Sequence, residues 1–202
     1  MQTPERNTSD LDRLNANTFG IEPTFMPLSA FEPELANNRD ALAYWRGLPR
    51  GSENAPHKDY CDVLELAEFL PRCVILEMLG PTIWPIIMFG TELVANFGID
   101  ATGMNAHDFY GEEEKPRVAA RMATMKDRGI LMCSASRVKS MGGVTADTEW
   151  LFLPLSNDDG SITRVLVSTS VYEAQPSLRN FEMAGTLKDR QIFKLIFAEY
   201  DD

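Results

Sequence analysis

Histidine and cysteine are scarce in this chain: two and three among 202 residues. The cysteines, Cys61, Cys73 and Cys133, stand far apart with no CxxC pair. That spacing excludes a zinc ribbon or dithiol motif and fits reduced thiols better than a disulfide framework. The histidines, His57 and His107, fall in polar stretches, where both are read as solvated, and no HExxH occurs. With so few ligands no metal site is expected. Positive charge is also short, 19 Lys and Arg against 30 Asp and Glu, for a formal net charge of −11. Such a surface repels phosphate backbones and anionic lipid, so neither nucleic acid nor membrane is an expected partner. No apolar run reaches the ~18 residues of a membrane span, and MQTPERNTSDLDRLN lacks the basic-then-apolar plan of a signal peptide. A cytoplasmic protein is expected.

What is present is enough for one domain with extensions. Residues 1–38 mix Pro, Asn, Ser and Glu with scattered aromatics and read as a loosely ordered arm that docks through Phe19, Phe25, Met26 and Phe31. A short helix opens at Asp40, a good N-cap, and carries apolar residues on more than one face. VLELAEFL reads as a second short helix ended by Pro71. Arg72–Leu79 and Ile83–Phe89 are strands joined by a Gly80-Pro81 turn. Thr91 reads as the N-cap of a helix over Glu92–Phe97, with Gly98 placed as its C′ stop. Glu112–Glu114 and Pro116 open the strongest helix, whose stripe is Val118, Met122 and Met125, closed by Lys126, Arg128 and Gly129. Three strands follow, Ile130–Ser140, Thr145–Leu155 and Ser161–Tyr172, with hairpin turns at Met141–Gly143 and Asn157–Gly160.

That order predicts an α+β domain over residues 39–172, a five-stranded antiparallel sheet with helices on one face. Residues 173–202 read as a linker and a final helix, in which Thr186 and Asp189 form a capping box and Ile192, Leu195, Ile196, Phe193, Phe197 and Tyr200 make two stripes. Flanking segments at both ends are thus read as helical or irregular.

Groups that do chemistry are few. Ser134, Ser136, Ser168, Thr169 and Ser170 are strand positions with no His and acid arranged to activate them. Gly142-Gly143 and Asn157–Gly160 lack the strand-to-helix context of a phosphate loop. Catalytic residues are therefore assigned to none. The candidate site is an apolar set from elements that face one another: Phe89, Phe97, Met104, Phe109, Met122, Met125, Trp150 and Phe152. Those side chains either wall a cavity for a small apolar ligand or fill a solid core.

The motifs also form a series. Tyr44-Trp45-Arg46 lies on the first helix. Asp62 precedes Phe69-Leu70-Pro71. A strand ends in Gly90-Thr91, a helix in Phe97-Gly98, and Thr102-Gly103 follows. The series closes with Leu153-Pro154-Leu155-Ser156 before Asn157–Gly160. In order and spacing this series resembles a PAS domain, more narrowly the family of small bacterial single-PAS proteins. It departs from that family at Ile87 and Ile99, where the pattern often carries Arg. The flavin-photosensor cysteine motif is absent, so no haem or flavin is expected. The resemblance implies a sensory or regulatory protein without an output domain, acting on a small apolar ligand, a protein partner, or both. It also implies a homodimer through a flanking helix, with Leu42, Tyr44, Trp45 and Leu48 as the interface. The alternative class is an interaction scaffold with a solid core, and the third an enzyme. In the competing account of the helix, Phe25 and Phe31 fold back over its second stripe within one chain. The freshly purified protein is expected to be colourless; a visible absorption band in the haem or flavin region would overturn that.

Overall fold

The computed structural model describes residues 16–50, 55–62, 66–139, 145–172 and 190–201. Its centre is an antiparallel run of β2 (Cys73–Glu77), β3 (Ile86–Phe89), β4 (Leu131–Lys139), β5 (Thr145–Ser156) and β6 (Ile162–Val171). These five strands are the ones expected from the sequence. Two more extend the sheet, β1 (Thr24–Pro27) and β7 (Gln191–Glu199), in the order β1-β7-β4-β5-β6-β2-β3. The expected C-terminal helix is therefore corrected to a strand. Leu195–Ala198 are buried in succession, because β7 is covered on both faces. A strand buried on both sides loses its alternation, and its apolar run then matches helical stripes equally well. β1 pairs with β7 in parallel, so the whole sheet is mixed rather than antiparallel.

Helices cover both faces, not one. Facing one side are the single turn α1 (Ala16–Phe19), α3 (Thr91–Phe97), a 3-10 turn at Ala106–Phe109 and α4 (Lys115–Arg128). On the other lies α2 (Ala36–Gly47), over Cys133, Leu151, Leu153, Leu155 and Leu166. The hairpin turn at Asn157–Gly160 forms as expected, with Gly160 donating to the Asn157 carbonyl at 2.9 Å. Residues 66–69 make a turn and Leu70–Arg72 a 3-10 turn where the second short helix was expected. The Met141–Gly143 turn and the Thr186–Asp189 capping box lie outside the described residues. Phe19, Phe25, Met26 and Phe31 all pack on the domain, Phe25 stacking on Phe197 at 5.1 Å.

Two glycines hold α3 in place. A Cβ on Gly90 would meet the Pro71 carbonyl oxygen at 2.3 Å, so only glycine lets the start of α3 lie against the Leu70–Arg72 turn. Gly98 ends the helix at φ 73°, in the left-handed region. Gly90, not Thr91, is the N-cap residue.

α2 begins four residues before the expected Asp40 because its cap comes from elsewhere in the fold. Glu149 on β5 is fully buried. Its carboxylate accepts from the backbone N–H of Glu34 at 2.9 Å and of Leu35 at 3.1 Å. Asn38 Nδ2 donates to the same carboxylate at 3.0 Å, and Ser168 Oγ donates to Asn38 Oδ1 at 2.7 Å. A carboxylate here meets both the orphan donors and the positive end of the helix dipole. Farther along, Trp45 Nε1 donates to the Pro154 carbonyl at 2.8 Å. Among the described residues no helix is long and apolar enough to cross a membrane.

Glu149→Ala leaves two part-buried backbone N–H groups without their acceptor and takes one bond from the buried Asn38 amide, and is expected to destabilise the protein by about 3 kcal/mol, and Glu149→Gln by roughly half as much. Urea unfolding followed by tryptophan fluorescence measures both, and an unchanged midpoint for Glu149→Ala would remove the capping role.

Candidate functional site

The apolar side of the sheet and the helices above it enclose a cavity of about 60 Å³. Its floor is Val74 and Leu76 on β2, Phe89 on β3, Trp150 and Phe152 on β5, and Val167 on β6. The roof is Phe97 at the end of α3, with Phe109 and Tyr110 after the 3-10 turn. β5 supplies two floor residues because side chains two apart share a face. Phe89 and Phe97 meet edge to face, with ring centres 5.3 Å apart.

Five of the eight residues expected at the site line this cavity: Phe89, Phe97, Phe109, Trp150 and Phe152. Met122 and Met125 are fully buried in the same core but lie beyond the cavity wall. Met104 is outside altogether, with 48% of its surface exposed. Gly103 takes φ 84° and lays this turn along the edge of β3, where Ile86 N–H donates to the Met104 carbonyl at 2.9 Å.

Sequence reasoning missed a polar cluster beside Trp150, outside the residues that line the cavity. Thr148 accepts from Trp150 Nε1 at 3.0 Å, and its hydroxyl lies 3.2 Å from that of Ser136. Arg190, just before β7, donates to Ser136 Oγ and Ser134 Oγ, each at 2.9 Å. Its Cζ is 5.7 Å from the Trp150 ring centre. Burial pushes the pKa of this guanidinium down. Ser134 and Ser136 thus bond to a guanidinium and a threonine, not to a general base. The one signal in sequence was the polar residues alternating along β4, which were weighed only as nucleophiles.

The thiols stand away from the cavity. Cys73 and Cys133 face the α2 side, and burial pushes Cys73 up to about 12 and raises Cys133 as well. Cys61 is partly exposed and also raised by burial. Thiols so shifted are poor nucleophiles at neutral pH. His57 lies 3.0 Å from Asp158, a surface contact. His107, expected in solvent, is instead buried edge-on against Trp84 at 5.0 Å. Among the described residues no group of three or more His, Cys, Asp or Glu is placed to hold a metal.

The four side chains expected at a dimer interface are mostly enclosed within one chain. Leu42, Trp45 and Leu48 are buried in the α2 core beside Leu28 and Phe31. Tyr44 is half-buried against Phe69, ring centres 5.6 Å apart. Of the two residues in the competing account, Phe31 packs beside α2, whereas Phe25 lies on the other side of the sheet against Phe197.

Comparison with solved structures returns related folds at low identity. A light-oxygen-voltage domain studied with a flavin analogue is 17% identical, with a TM-score of 0.44 over 55% of this chain and 84% of its own. The PAS domain of a protein from Colwellia psychrerythraea is 12% identical, at 0.42, over 56% of this chain and all of its own. The Rhodobacter sphaeroides light-oxygen-voltage protein is 12% identical, at 0.42, over 57% and 71%. No curated protein matches the chain in sequence. A family model described as a PAS domain matches residues 34–169, more than half of the chain, and the chain belongs to that family.

Proposed function

We propose that this protein is a non-enzymatic sensory or regulatory PAS protein of the cytoplasm, which binds a small apolar molecule in the cavity and signals by contact with another protein chain. The observation that carries this reading is the cavity itself. Residues from four strands, one helix and one loop converge on it, and most of its wall is hydrocarbon. At about 60 Å³ it is smaller than the ~150 Å³ that admits benzene. It also falls below the ~300 Å³ typical of drug-sized sites. The ligand it takes is therefore small, or the roof formed by Phe97 and Phe109 moves.

A flavin does not fit this arrangement. The volume is several times too small, and no cysteine stands in the wall to form an adduct. We derive no step through such a group.

The small volume also favours the scaffold reading, in which the core is solid in function and only the surface acts. Xenon binding separates the two readings, since dry apolar cavities take up xenon. The parent protein is expected to shift the xenon NMR signal, and Val167→Phe, which fills the cavity, to abolish the shift. An unshifted signal for the parent would favour the scaffold. Trp150→Ala removes part of the floor and is expected to cost about 3–5 kcal/mol. Added indole should restore part of that stability, as read by thermal unfolding; no recovery would take Trp150 off the cavity wall.

For the partner we propose a second copy of the chain, seated on the edge of the sheet at β3. Leu79, Ile83, Ile87 and Met104 are all exposed along this edge, Leu79 by 64%. Scattered exposed apolar residues are ordinary, but these four, Ile87 on β3 and the others on the turns beside it, gather into one apolar patch at this end of the sheet. The full chain is expected to sediment as a dimer at tens of micromolar and Ile87→Asp as a monomer. A monomeric parent would refute the dimer.

A further inference from the structure

Both halves of the cavity roof are fastened to β3, which forms part of the floor. The first half is the 3-10 turn at Ala106–Phe109, which brings Ala106 and Phe109 to the wall. Asn105, just before that turn, clamps it to the segment entering β3. Its Oδ1 accepts from the Trp84 N–H at 2.8 Å, and its Nδ2 donates to the Thr82 carbonyl at 3.1 Å. Backbone bonds flank the clamp on both sides. Ala106 N–H donates to the Trp84 carbonyl at 2.9 Å, and Gly103 N–H to the Ile86 carbonyl at 2.7 Å. From the turn itself, His107 packs edge-on against Trp84. The second half is Phe97, whose ring centre lies 5.3 Å from that of Phe89 on β3. Its helix, α3, is held at the other end by the close approach of Gly90 to the Pro71 carbonyl.

Lifting the roof breaks these contacts together. A roof tied to its own floor strand keeps the cavity at about 60 Å³. A dry cavity of ~150 Å³ holds benzene, about 25 Å³ for each of its six carbons. On that scale about 60 Å³ holds between two and three heavy atoms. The wall limits the chemistry as well. Among the described residues that line it none carries a charge, and the Trp150 indole N–H is already given to Thr148. An ion would surrender its hydration here for no equivalent partner. An apolar molecule has no such cost.

We propose that the cavity takes an uncharged apolar molecule of two or three heavy atoms, the size of ethylene, and that the Asn105 clamp sets this limit. It rests on the ligand-binding reading above and names the size and polarity of the ligand. Asn105 does not line the cavity and acts through Ala106 and Phe109, so it is a positioning residue.

Ethylene and benzene test the limit in the full chain, read by the methyl NMR signals of Val74, Leu76 and Val167. Benzene is the more hydrophobic, so a site that admits both binds it more tightly. In the parent, ethylene is expected to shift these signals in a saturable way and benzene to leave them unmoved. Asn105→Ala loses both side-chain bonds, and there benzene is expected to shift them. Asn105→Asp loses the bond to the Thr82 carbonyl and keeps an acceptor for Trp84; the same benzene shift is expected, and it serves if the alanine variant fails to fold. A benzene shift in the parent, no ethylene shift in the parent, or benzene excluded from both variants overturns the proposal. If benzene enters the parent, or xenon enters without ethylene, the cavity reading stands and only the size limit is wrong. If neither xenon nor ethylene enters, both fall.

Discussion

The structure depends on one strand being buried on both faces. From Thr148 to Ser156 every residue of β5 is buried, and successive side chains enter opposite cores. Trp150 and Phe152 face the cavity, while Glu149, Leu151, Leu153 and Leu155 face α2. A slip of one residue in register would put the Glu149 carboxylate into the aromatic floor and Trp150 under the helix. Neither is tolerable, so the pairing of Trp150 with Ser134 on one side and Thr169 on the other is strongly specified. The two layers of helices take their positions from that register.

The two sides of the sheet hold their charged side chains in different ways: Glu149 is fully buried and Arg190 only partly so. On the α2 side, Glu149 is surrounded by donors: two backbone N–H groups and the Asn38 amide. That carboxylate is well compensated and ties the helix to the sheet. On the cavity side, Arg190 has hydroxyls and a ring face but no carboxylate paired with it among the described residues. Fully satisfied polar groups rigidify a core. Glu149 and Trp150 are neighbours in sequence, so the anchor of α2 and the floor of the cavity share one stretch of backbone.

Much of the central domain was legible. Gly98 and Gly129 mark helix ends because only glycine takes the left-handed residue there without strain, and both do so at φ 73° and 63°. Asn157–Gly160 reads as a turn for the same reason. Five aromatic wall residues were identifiable because they sit on strands and helices whose apolar faces must converge. Met104 misled because composition does not say which way a glycine turn lays its neighbours. Leu42, Trp45 and Leu48 misled because an apolar helix face does not state whether its cover comes from the same chain or another. The final segment misled because burial on both faces hides the period of a strand.

The sequence by itself determined much of the local structure of residues 39–172: the five central strands, the ends of α3 and α4 at Gly98 and Gly129, the Asn157–Gly160 turn, and which side chains are apolar enough to form the two cores. Those are short-range matters of propensity, period and backbone freedom, and they leave a local trace. Tertiary structure alone decided the seventh strand, the cap on α2 and the polar cluster around Arg190. Glu149 reaches Leu35 across 114 residues, and Arg190 reaches Ser134 across 56. A buried charge finds its partners by the packing of distant strands, and no local pattern records which hydroxyl or amide will be within 3 Å of it once the sheet has closed.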